Sequence, residues 1–105
     1  MSKITIAIDT LKVAYLAASN KLSCTSQEAY HLFNWPTEYA NSIIDYAKSL
    51  GYIHITLEQL LKNKTDEYQI TPLGQKTLLD LNILNRKGLI PLDQLDNHLE
   101  RIVKG

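Results

Sequence analysis

Apolar residues recur along this chain at steps of three and four, interrupted by two short stretches of strict alternation. The cleanest stripe lies in TEYANSIIDYAKSL, where Ala40, Ile43, Ile44, Ala47 and Leu50 share one helical face. Thr37 or Pro36 opens this helix, and Gly51 follows it, where a left-handed backbone costs little. Upstream, Leu11, Ala14, Tyr15 and Ala18 give an apolar face over residues 9–19, with Asp9 as the expected N-cap. The preceding KITIAI reads two ways: Ile4 and Ile8 extend the helical face, while Ile4, Ile6 and Ile8 alternate like a strand. CTSQEAYHLF is expected to start a second helix, with Thr25 and Glu28 as a capping box and Ala29, Leu32 and Phe33 as its apolar side. Pro36 disfavours helical geometry at Trp35 and ends it.

Past Gly51 the period changes. In YIHIT, Ile53 and Ile55 alternate with His54 and Thr56; in YQIT, Tyr68 and Ile70 alternate with Gln69 and Thr71. Two short strands around a polar separator predict a hairpin. The separator is long, and its Leu57, Leu60 and Leu61 have helical spacing, with Thr56 and Gln59 spaced for a capping box. Those leucines either fold back onto the core as a helical turn, the favoured reading, or form a contact surface. Thr71 then caps a fourth helix with Pro72 at its first position. Leu73, Thr77, Leu81 and Leu84 are its expected inner face, widened by Leu78, Leu79 and Ile83, and Gly88 stops it. A last helix begins at Pro91, with Leu92, Leu95, Leu99 and Ile102 spaced like a short coiled-coil seam. These leucines either cover the domain or pair with a second copy; pairing, and hence a homodimer, is the expectation. The fold class is mainly α with a small β-hairpin, in one domain over residues 1–105, the terminal helix spanning 91–104.

The anchors YAKSLGYI (Tyr46 to Ile53) and YQITPLGQKTLL (Tyr68 to Leu79) make residues 9–84 resemble a winged helix-turn-helix domain, of the kind found in PadR-type and MarR-type transcription regulators. The resemblance implies a recognition helix over about 37–50 and a wing over about 52–71. It further implies a DNA-binding regulator of transcription whose third helix enters the major groove. With the apolar stripe inward, Thr37, Glu38, Asn41, Ser42, Asp45 and Lys48 face outward and Tyr39 and Tyr46 flank them. Asn41 suits adenine, Ser42 a base or phosphate, and Lys62 and Lys64 in LLKNKTD suit the backbone near the wing. The chain departs from the family in charge. From Thr25 to Ile53, Lys48 stands alone against Glu28, Glu38 and Asp45: one positive against three negatives, −2 where a polyanion would sit. A protein-interaction module is therefore the alternative function.

Composition sharpens this in places. Eleven Lys and Arg balance eleven Asp and Glu, so only a local basic patch could attract nucleic acid. Arg86 and Arg101 are the only arginines. A single cysteine, Cys24, fits a reducing, cytoplasmic setting; it reads as a small apolar residue or, less favoured, an oxidant sensor. No apolar stretch approaches the roughly 20 residues of a membrane span. His31, His54 and His98 have no metal-ligand spacing, and no catalytic constellation or cofactor motif stands out. The expectation is a non-enzyme without cofactor or metal. Its partner would be double-stranded DNA or a protein.

Overall fold

The computed structural model describes residues 3–19, 23–63 and 67–104. The chain is mainly helical with small antiparallel sheets. Helix α1 (Lys3–Ser19) is buried from Ile8 to Ala17 except at Lys12. A helix that is apolar nearly all round belongs in an interior, and the sheet and the later helices pack about it. KITIAI continues this helix and forms no strand, because Ile8 adds to the buried face that Leu11 and Tyr15 carry on. Asp9 is consequently a buried mid-helix residue, not an N-cap.

The second helix starts where its cap predicts, and the short segment ahead of it, for which no strand was expected, forms strand β1 (Ser23–Thr25). Its residues gain a ladder partner in β3, with Ser23 opposite Gln69 and Thr25 opposite Glu67. Thr25 still caps α2 (Ser26–Phe33), its hydroxyl accepting from the Glu28 amide at 3.1 Å. Asn34 closes α2 in the left-handed region, and the chain turns directly into α3 (Thr37–Ser49). Gly51, at φ +82°, ends α3. The Gly51 amide donates to the Lys48 carbonyl and the Tyr52 amide to that of Ala47, both at 3.0 Å, a paired closure that needs the left-handed residue between helix and strand.

Strand β2 (Ile53–His54), the short helix α4 (Leu57–Leu61) and strand β3 (Glu67–Ile70) follow. The sheet order is β1-β3-β2, antiparallel throughout, with Ile53 opposite Ile70. Tyr68 and Ile70 face the core while Gln69 is partly exposed, as the alternation predicts. Thr71 joins three elements. Its hydroxyl donates to the Gly51 carbonyl and accepts the Gly74 amide of α5 (Pro72–Asp80) at 3.0 Å. Gly74 is required there: a Cβ would overlap the Tyr52 carbonyl oxygen.

That contact fixes how α5 is rotated. Leu78, one turn beyond Gly74, is fully buried, whereas Leu73 and Leu79 are exposed, so the inner face differs from the expected one. The helix also ends earlier than expected. Asn82 adopts φ +61°, its amide donates to Leu79, and the Ile83 amide reaches Leu78 at 2.9 Å. Leu84 thereby leaves the helix for a two-residue strand, β4 (Leu84–Asn85), paired with β5 (Gly88–Leu89). Helix α6 (Leu92–Lys104) closes the fold over α1. Leu95 and Leu99, expected to pair with a second copy, are 1% and 0% exposed in the chain's own core. The reason is α1, which offers them an apolar face within the same chain. One core therefore runs from Ile8 to Leu99.

Candidate nucleic-acid interface

Helix α3 is seated by Ala40, Ile43, Ile44 and Ala47, all buried. The opposite side displays Thr37, Glu38, Asn41, Asp45 and Lys48 to solvent, as the stripe predicts. Ser42 is exposed too, but its hydroxyl donates to the Glu38 carbonyl at 3.0 Å. Leu50, the last member of the stripe, is exposed and so does not belong to the core.

Tyr39 is turned inward. Its hydroxyl donates to the Asp9 carboxylate, so it is committed to the protein and unavailable as an outward contact. Asp9 also pairs with Lys12 at 3.8 Å, and Lys12 reaches Asp96 of α6 at 2.5 Å while lying 5.6 Å from the Phe33 ring centre. Phe33 and Trp35 pack tilted against each other and Trp35 meets Tyr39 edge to face, with centroids 4.8 and 5.4 Å apart. This small ionic and aromatic cluster fastens the start of α3 to α1, α2 and α6. Trp35 is partly buried there and packs against the core. Burial, and then the Asp9 carboxylate, push the Tyr39 phenol well above its ordinary pKa of 10.0.

The loop between β2 and β3 is built differently. Thr56 and Gln59 form the expected capping box: the Thr56 hydroxyl accepts the Gln59 amide at 3.2 Å, and the Gln59 side chain accepts the Thr56 amide at 2.9 Å. The box turns Gln59 inward, where it is buried, and with it fixes the rotation of α4. Leu57, Leu60 and Leu61 are left 71%, 50% and 78% exposed. The expected fold-back onto the core does not occur. Lys62 is exposed and pairs with Glu58 at 2.9 Å, which raises its pKa. Lys64 lies outside the described residues. The basic character expected near the strands is thus partly neutralised at Lys62.

A second side of α3 was not anticipated from the sequence. Tyr39, Ser42, Tyr46 and Leu50 recur at three- and four-residue steps and line a groove of about 1050 Å³, shared with α1 and α5. The spacing was legible, but the flanking position of the tyrosines gave no sign that this side stays open. No protein-family model, curated protein or solved structure matches this chain. No described helix is long and apolar enough to cross a membrane.

Proposed function

We propose that the chain is a small winged-helix regulator that binds double-stranded DNA, with α3 as the recognition helix and the β2–α4–β3 hairpin as the wing. The observation that carries this reading is the seating of α3: its apolar stripe is buried, and Asn41, Asp45 and Lys48 are displayed outward after a tight turn from α2. The order α1-β1-α2-α3-β2-α4-β3, with strand order β1-β3-β2, supports it. Asn41 is the base-reading candidate, and Lys48, Lys62 and Lys64 the phosphate candidates. The test is a salt titration of binding to mixed-sequence duplex DNA. Binding should weaken as salt rises, and the Lys62→Ala, Lys64→Ala variant should flatten the slope by about 2. Undetectable binding even at low salt would defeat the reading.

A second reading, in which the domain binds a protein, draws on one observation: three large leucines stand in water on α4, beside a lysine already paired with Glu58. It predicts that Leu57→Ser, Leu61→Ser abolishes partner binding and leaves the fold intact.

A further inference from the structure

The groove beside α3 has no role in either reading. Leu11 and Ile43 are buried in its floor, and Tyr46 and Leu50 stand exposed on its rim. Its lining carries two charged residues of opposite sign, Lys3 and Asp80. We propose that a second copy of this chain occupies the groove about a two-fold axis, Lys3 of each copy meeting Asp80 of the other. A two-fold contact is self-complementary: residue i meets j while j meets i. One cation and one anion on an otherwise apolar patch satisfy that condition, whereas a strongly charged partner would call for a single sign. The formal net charge of zero adds no long-range repulsion between copies. Asp80 already pairs with Lys76 at 3.0 Å, but both are well exposed, and such pairs exchange partners at little cost. Leu95 and Leu99 are spent on their own core, so of the seam expected on α6 only Leu92 and Ile102 keep exposed surface. The outward residues Asn41, Asp45 and Lys48 lie on another side of α3, so the contact stands whether or not the DNA reading does.

Sedimentation equilibrium on the full chain tests this. The wild type should form a concentration-dependent dimer. Tyr46→Glu, at an exposed position, should raise the dimer Kd about thirtyfold or more while the thermal melt of the monomer is kept. Lys3→Glu and Asp80→Lys should each weaken the dimer about fivefold, and the two together should restore it. A monomer at every concentration would overturn the proposal, as would a dimer indifferent to Tyr46→Glu or a charge swap without rescue. A monomeric wild type that binds an apolar fluorescent dye, with binding lost in Tyr46→Glu, would overturn it in favour of a small-molecule occupant.

Discussion

Helices α6 and α4 carry the same kind of signal and end in opposite environments. Leu95 and Leu99 of α6 are swallowed by the core, while Leu57, Leu60 and Leu61 of α4 stand in solvent. Both sets have helical spacing. The difference lies in what fixes the rotation of each helix. α6 has 13 residues and lies along α1, so burying its apolar side outweighs any local preference. α4 has five residues, and its rotation is set by a reciprocal cap that points Gln59 inward. A capping hydrogen bond is worth about 1 kcal/mol, which decides orientation only where little packing competes.

The sharpest way to break this comparison is to truncate one leucine in each helix. Leu99→Ala should cost about 2–5 kcal/mol in urea unfolding, since a fully buried side chain leaves a cavity that closes only in part. A loss below about 1 kcal/mol would mean that α6 is only loosely docked and that its leucines resemble those of α4 after all.

A smaller effect is expected from Tyr39→Phe, which removes the donor to buried Asp9 between α3 and α1. The loss should be about 1.5–3 kcal/mol near neutral pH, the range for a hydrogen bond to a charged group. The pH dependence has a definite sign. The folded phenol titrates above its unfolded value of 10.0, through burial first and Asp9 second. Stability from this group is therefore full below about pH 10 and falls as pH rises past it. Tyr15, raised by burial and then by the charge of Asp93, acts in the same direction. Urea unfolding of the wild type across the alkaline range should thus steepen above pH 10. The variant should lose part of that slope and keep the part due to Tyr15. An unchanged slope would mean that Tyr39 is no more protected than a surface tyrosine.

These contrasts also show which parts of the molecule were legible in the sequence. The α3 stripe was readable because four of its five apolar positions meet a core, and Gly51 marks the end in the one conformation that favours glycine. Thr71-Pro72 was readable because cap and first-turn proline act locally. β1 was not, since three residues, Ser-Cys-Thr, become a strand only through β3, more than forty positions away. The stop at Asn82 was missed because asparagine is a weaker left-handed signal than the glycine at 88. Within the candidate site, the outward placement of Asn41, Asp45 and Lys48 follows from the stripe. The inward turn of Tyr39 depends on Asp9 lying inside α1, which the ambiguous KITIAI concealed.

The smallest effect belongs to α4 and bears on the other half of the comparison. Leu61 is 78% exposed, so Leu61→Ser gives up little burial and should change unfolding free energy by less than about 0.5 kcal/mol. Adding Thr56→Ala removes the cap and should cost about 1 kcal/mol locally. That cost should appear as faster amide exchange at Leu60 and Lys62, whose amides donate to the Thr56 and Glu58 carbonyls at 3.1 Å, with the core amides of α1 unchanged. If Leu61→Ser alone destabilised the whole domain, α4 would have to be seated on the core in solution, and the cap could not be what fixes its rotation. If exchange at Leu60 stayed slow without the cap, some contact of the leucines would be holding α4 in place. A bound protein or second copy would then be the first thing to look for at that surface.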